Sequence, residues 1–518
     1  MTDVPTPAAA ATASPDADLA ALARGGRINF FGFVLRLIAR LPFLFIAGRS
    51  YGPEALGRFA YAVLVVELAA QLATMGLRRG LAQQLAQTDK PHACVVWDAL
   101  LVAGIGSIVA MSILAIFPQA MFPTSEIHGL ERALPVTIIA LAWSDVSLAA
   151  LAYRHDVGAT VRARAVVEPW TISIAAWAWS YISLRDGLLI AYVLSMAGAL
   201  IASLIPFVRS YGIPHGWRPD PRGLWRMARR NVPLAAADAV EWGSRRVDIA
   251  VLGLFMSPAF VGIYYVGQQV ASLPAKLKTS FEPVLGPVIA RNIEDKDYAA
   301  VARQVKQVGF WIIAAQAGIA LALAIPGHAV MGLVGNKFTG GTALLAFLLV
   351  AEVVAATAVV SEAALIYVAR HRNMIISLVM LAVQAGLSAA LILAMRGANW
   401  PGNYQATGPA IALLLSLGFA SIAKSRLLRH TLGFPVSGWR WDILWAAAAA
   451  VVVGVPVRLF LPDWLQLVAG IPLILGAFGA MLWVKGFGLE DRLLFRLNKH
   501  EVAELQLPDP GSAADAPR

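Results

Sequence analysis

Residues 232–256 read VPLAAADAVEWGSRRVDIAVLGLFM, an apolar run with charges where lipid should forbid them. A hydrocarbon core of roughly 30 Å is crossed by about 20 apolar residues at 1.5 Å rise each, so the run is long enough to span. Inside it stand Asp238, Glu241, Arg245, Arg246 and Asp248. A charge at the centre of a lipid-facing helix costs about 2.5–3.5 kcal/mol, and each Leu, Ile or Val returns only about 0.3–0.6. The run therefore cannot face lipid all round, and its charged side must look into protein or a watery cavity. As one continuous helix at about 100° per residue, Asp238, Glu241, Arg245 and Asp248 share an arc of roughly 80°, while Arg246 points elsewhere. Glu241 and Asp248 then both reach Arg245. The result is either an ion-pair ladder that holds helices together or the polar lining of a transport path.

The same feature recurs at a fixed offset. GRSYGPEALGRFAYAV, from Gly48, aligns without gaps to GLFMSPAFVGIYYVGQ, from Gly253, a shift of 205 residues. Pro53 falls on Pro258, Gly57 on Gly262, Phe59 on Tyr264, Arg40 on Arg245 and Gln71 on Lys276. Two halves repeating one pattern are the signature of a transporter whose site lies between the repeats.

Composition sets the class. A chain of 518 residues that is 58% hydrophobic and 14% charged is expected to be a polytopic membrane protein. One cysteine, Cys94, leaves no internal disulfide and no multi-cysteine metal site. HExxH and GxxxxGK[ST] do not occur, so no metal, nucleotide or other cofactor is expected.

Hydrophobic runs give fourteen candidate spans, at roughly 28–47, 56–76, 93–117, 130–153, 161–183, 188–208, 232–254, 259–281, 308–330, 341–369, 373–395, 406–428, 442–461 and 465–485. With both termini cytoplasmic, most of the 42 Lys and Arg fall on the inner side. Arg49, Arg58, Arg132, Arg185, Lys337, Arg396 and Arg458 fall outside, and Arg36, Arg40, Arg245 and Arg246 lie deep within spans. That asymmetry also accounts for the net charge of +11, so no nucleic-acid partner is expected. The implied organisation is a disordered cytoplasmic tail over 1–24, a six-helix bundle over 25–209, and a basic cytoplasmic linker over 210–231. A second six-helix bundle follows over 232–430, then two additional helices over 431–488 and a cytoplasmic tail over 489–518. The linker, RSYGIPHGWRPDPRGLWRMARRN, is expected to contact anionic membrane lipid. NIEDKDYAAVARQVKQ, from Asn292, is expected to be an amphipathic helix on the membrane surface.

Candidate site residues follow from depth and spacing. Arg36 and Arg40 share a face of the first span, and Arg40 lies some 18 Å in, too deep to snorkel easily. With Arg245 at the equivalent position of the other half, two guanidiniums could converge and fork onto phosphate or carboxylate oxygens. Tyr265, Gln269, Ser272 and Lys276 form a polar stripe on the eighth span, suited to sugar hydroxyls or to helix–helix hydrogen bonds. Glu67, Asp238 and Glu241 are candidates for ion or proton coupling. Asp98, Asp145, Glu168, Glu352 and Glu362 are further acids within or near spans.

GRSYGPEALGRFAYAV followed by ATMGLRRGLAQQLA, with RRVDIAVLGLFMSPAFVGIYYVGQQV in the second half, resembles the Wzx-type oligosaccharide flippases. These belong to the multidrug/oligosaccharidyl-lipid/polysaccharide exporter superfamily. The resemblance implies an all-α fold of two six-helix repeats in a V around a central cavity, plus two C-terminal helices. It implies a bacterial inner-membrane transporter, not an enzyme, moving polyprenyl-diphosphate-linked oligosaccharide between leaflets by alternating access. Other polysaccharide-assembly membrane proteins would be its partners. The cationic head-group residues would fall on Arg36, Arg40 and Arg245. Two other classes compete. A cation-coupled multidrug exporter of the same fold predicts an aromatic, acid-dominated cavity. A membrane-embedded polymerase or ligase needs a sizeable outer loop, and the outer loops here are short.

Overall fold

The computed structural model describes residues 41–488 and Asp491, apart from 128, 215 and 276, and gives the backbone alone for 157, 244, 275, 277–284 and 287. Among the described residues the chain is helical throughout and contains no strand. It is a multi-pass membrane protein, and ten helical stretches are long and apolar enough to cross a bilayer. Of the fourteen expected spans, the first lies mostly outside the described residues and the eighth is interrupted at 276. The fifth and seventh carry too many charges to qualify on apolarity.

The first half runs through α1 (Gly52–Ala73), α2 (Leu77–Ala86), α3 (His92–Ile116), α4 (Thr137–Tyr153), α5 (Glu168–Trp179) and α6 (Gly187–Tyr211). The second comprises α7 (Pro221–Ser244), α8 (Val247–Phe255), α9 (Pro258–Ala275), α10 (Leu277–Glu294), α11 (Tyr298–Ala324), α12 (Thr342–Val368), α13 (Arg370–Gly397) and α14 (Gly408–Leu432). Two added helices, α15 (Asp442–Phe460) and α16 (Ile471–Met481), follow.

Helix α1 opens with Pro53, whose fixed φ suits a first turn. It ends at a turn in which Gly76 adopts φ 71°, where a Cβ would come within 2.7 Å of the Asn231 carbonyl of α7. That turn swings α2 across the bundle. Leu77, Leu81 and Leu85 bury on one face and Arg78 and Arg79 emerge on the other.

The segment that opened the sequence reading is not one helix. It begins earlier, at Pro221, where Asp220 caps the N-terminus by accepting from the Arg222 and Gly223 amides. It stops at Ser244, and α8 starts afresh at Val247. The basic stretch before Val232 is thus helical over its second half. The expected surface helix is corrected as well: Tyr298–Gln307 is the first part of α11, capped by Asp297, with Val301 and Val305 fully buried. Its apolar face meets protein rather than lipid.

The halves share one core. Leu56, Phe59 and Leu64 of α1 pack with Val261, Tyr264 and Val266 of α9 and with Leu344 and Leu348 of α12. A second core joins α11 and α12 to α15 and α16 through Phe310, Ile474 and Phe478. Where α11 and α15 meet the tail, Asp491 is buried and accepts from Gln307 Nε2, from Trp311 Nε1 at 2.9 Å and from Arg440 Nη1 at 2.6 Å.

Candidate functional site

The repeat defines a closed end. Helices α1 and α9 cross with Gly57 against the Pro258 carbonyl and Gly262 against the Pro53 carbonyl. Beside this crossing Arg49 Nε donates to the Leu333 carbonyl at 3.0 Å, tying the first half to the second. Met121 and Phe122 of the α3–α4 connection are buried, and they line the small pocket at this junction. Arg58 pins that connection by pairing with the buried Glu131 and donating to the Glu126 carbonyl.

Ten residues further along α1, about 15 Å away, Glu67 enters the wall of a cavity of about 500 Å³. Its wall is built by Glu67 and Gln71 of α1, Arg78 of α2, Asp145 and Leu148 of α4, and Arg164 and Glu168 at the entrance to α5. From the other half come Trp242 and Arg246. Arg246 pairs with Glu67 at 3.1 Å and lies over the Trp242 ring at 5.6 Å, so this contact bridges the halves inside the cavity. Arg164 is held by two carboxylates, Asp145 and, at 2.9 Å, Glu168. Arg78 reaches the cavity with no ion-pair partner among the described residues. Three guanidiniums thus face three carboxylates, which is a balanced lining rather than a purely cationic one.

Several expected site residues are placed elsewhere. Arg36, Arg40 and Lys276 lie outside the described residues. Arg245 is 63% exposed, pairs with Glu241 at 3.1 Å and does not line the cavity. The expectation that Arg245 faces the path and Arg246 points away is therefore reversed. The reason is local. The helix ends at Ser244, the Arg245 and Arg246 amides close a turn onto the Trp242 and Gly243 carbonyls, and the 100° step no longer applies.

The same break removes Asp248 from the expected ladder. Asp248 is buried and accepts from Tyr264 Oη at 2.7 Å and from Gln268 Nε2 at 3.1 Å. Asp238 and Glu241 instead meet Arg79 of α2, Asp238 at 2.6 Å. These two acids fasten α7 to α2, the holding role. Tyr265 and Gln269 are half-buried on α9 and do not line the cavity; their neighbours Tyr264 and Gln268 take the Asp248 contact. Of the further acids, Asp98 accepts from Trp217 Nε1 at 2.8 Å, and Glu362 pairs with Lys424 at 2.9 Å.

Glu67 is the coupling candidate that does face the cavity. Arg78, Arg164 and Arg246 were missed as site residues. The sequence carried one signal for Arg164, its i, i+4 spacing to Glu168.

The chain matches the family model described as polysaccharide biosynthesis protein over residues 48–340, more than half its length, and belongs to that family. No curated protein matches the sequence. Among solved structures it is similar to the lipid II flippase MurJ in an inward closed conformation, at 11% identity and TM-score 0.64, covering 88% of this chain and 97% of that one. It is similar to an inward-facing MATE multidrug-resistance transporter of the MOP superfamily, at 15% identity and TM-score 0.58, covering 80% and 94%. A MOP-superfamily transporter from Pyrococcus furiosus aligns at 14% identity and TM-score 0.54, covering 81% and 96%. These likenesses give the fold: two helical repeats around a central cavity, as in MOP-superfamily transporters.

Proposed function

We infer that this chain is a flippase that carries polyprenyl-diphosphate-linked oligosaccharide from the cytoplasmic to the periplasmic leaflet of a bacterial inner membrane. Both termini are cytoplasmic, and the cycle is one of alternating access. The observation that carries this reading is the cavity lined by Arg78, Arg164 and Arg246, to whose wall both halves contribute. A diphosphate and several sugars cannot cross hydrocarbon unaided, because an ionised group transferred to a medium of low dielectric loses tens of kcal/mol of solvation. The lipid tail needs no such shelter and stays in the bilayer. On this reading the cavity faces the cytoplasmic side.

The ion pairs suggest how an anion is received. Arg164 is committed to two carboxylates and shapes the wall. Arg78 is available, and Arg246 is held by Glu67 alone. A phosphate taken up by Arg246 displaces Glu67 from that guanidinium, and Glu67 can then exchange it for a proton or cation. Substrate binding and ion uptake are then linked at one side chain. Arg36 and Arg40 remain candidate contributors. The three cavity carboxylates and Trp242 also favour a second reading, a cation-coupled multidrug exporter.

The test is transfer of a labelled polyprenyl-diphosphate oligosaccharide across proteoliposomes, for wild type and for Arg246→Ala, Arg78→Ala and Arg245→Ala. The flippase reading expects protein-dependent transfer that falls at least about tenfold in the first two variants, the loss of roughly 1.4 kcal/mol at the site, and little change in the third. No transfer by the wild type, with export of cationic dyes instead, would give the cavity to the drug exporter.

A further inference from the structure

The first half of α7 has two faces of opposite character. Leu224, Met227 and Ala228 pack with Leu77, Leu81 and Leu85 in the core of the first half, which fixes the rotation of the helix. Arg222, Arg226 and Arg229, at i, i+4 and i+7, are turned the other way and exposed, with Trp225 beside them at 67% exposure. No acid occurs from Pro221 to Ala237, and none of the three arginines enters an ion pair among the described residues. In this they differ from Arg79, Arg164, Arg245 and Arg246, each of which has a carboxylate.

Length places this face at the membrane surface. The 24 residues of α7 and the 9 of α8 are together about 50 Å long, well beyond a hydrocarbon core of roughly 30 Å. Trp242 and Arg246 lie in the cavity wall, so the excess length stands at the Pro221 end. There Arg222 to Arg229 cover about 10 Å of helix in the layer where phosphates sit, and an indole is at home in the same layer.

We propose that this arginine stripe is a docking site for the head groups of anionic phospholipids. Guanidiniums fork onto phosphate oxygens, Trp225 lies among the glycerol backbones, and an acid-free face presents no repulsion. A head group held there anchors the end of the helix whose other end carries Trp242 into the cavity wall. The site stands independently of what the cavity transports.

The experiment uses the full-length protein, stripped of lipid in detergent and offered phosphatidylglycerol or phosphatidylcholine, with bound lipid counted by native mass spectrometry. Phosphatidylglycerol is expected to bind in preference, and R222Q/R226Q/R229Q to weaken it by at least about tenfold. The Lys variant of the same three positions, which keeps the charge, should stay within about threefold of wild type. R370Q/R372Q/R426Q, which removes three exposed arginines elsewhere, should leave binding unchanged. Equal binding by the Gln variant, or an equal loss in the control, overturns the proposal. So does displacement of phosphatidylglycerol by equimolar inorganic pyrophosphate, which would assign the stripe to the diphosphate of a substrate.

Discussion

Gly57 and Gly262, equivalent positions of the two halves, meet backbone to backbone where α1 crosses α9. A Cβ on Gly57 would lie 1.7 Å from the Pro258 carbonyl oxygen, and one on Gly262 would lie 2.0 Å from that of Pro53. Each glycine touches the proline that opens the other's helix, so the contact is a reciprocal one about a pseudo-two-fold axis. The closed end of the cavity depends on the absence of two methyl groups.

Gly57→Ala and Gly262→Ala should therefore each destabilise the protein, by about 1–3 kcal/mol as overpacking does, and to a similar degree. Gly386 on α13 has open space around its Cβ position. Gly386→Ala should be neutral or slightly stabilising, since alanine is the better helix former. Thermal unfolding in detergent compares all three, and an unaffected Gly57→Ala would show that the helices are not in contact there.

The cavity arginines should separate by the number of carboxylates each one holds. Arg164→Ala leaves Asp145 and Glu168 facing each other and should cost about 3–5 kcal/mol, visible as a lowered unfolding temperature and reduced yield. Arg246→Ala takes one guanidinium from a single carboxylate, Glu67, about a third exposed, and should leave the unfolding temperature nearly unchanged. Equal thermal losses in the two variants would mean that Arg246 is also a structural tie.

A double-mutant cycle on Glu67 and Arg246 should give a coupling energy of about 0.2–1 kcal/mol, because the two are in direct contact but partly exposed. The cycle is measured on unfolding, with Glu67→Gln and Arg246→Gln. Strict additivity would place the pair too far apart to interact.

Asp248→Ala should destabilise by about 1–3 kcal/mol, because the buried Tyr264 Oη loses its acceptor, while Gln268 Nε2 keeps the Arg245 carbonyl at 3.2 Å. Tyr264→Phe, which removes one donor and leaves Asp248 with Gln268, should cost less. If the order is reversed in thermal unfolding, Asp248 is not the hub of that cluster.

At the other end of the chain, Asp491→Ala removes the acceptor shared by Gln307, Trp311 and Arg440. The segment after α16 should then loosen, and trypsin should cleave after Lys485 faster than in wild type. Arg440 keeps its contact over the Phe310 ring at 3.8 Å, so α15 itself should stay attached.

Much of this architecture is legible before any coordinates. The 205-residue offset that sets Pro53 on Pro258 and Gly57 on Gly262 pairs the residues that meet at the crossing. Asp238 and Glu241 could be recognised as charges that must face inward, but not as partners of Arg79, which is far away in sequence. Arg164 falls near the start of the expected span 161–183, and nothing local shows that α4 brings Asp145 to it.

The amino-acid sequence alone determined the class and the repeat. Burying apolar surface in a bilayer and satisfying every backbone group there leaves long helices as the outcome for runs such as these, whatever their neighbours. What only the tertiary structure decided is which charges face the cavity. That choice turns on a two-residue break at Arg245 and Arg246, which ends one helix and restarts another. A turn of that kind costs little locally, so its position is set by contacts with other elements: Arg79 holding α7, Tyr264 and Gln268 holding Asp248, and Glu67 receiving Arg246.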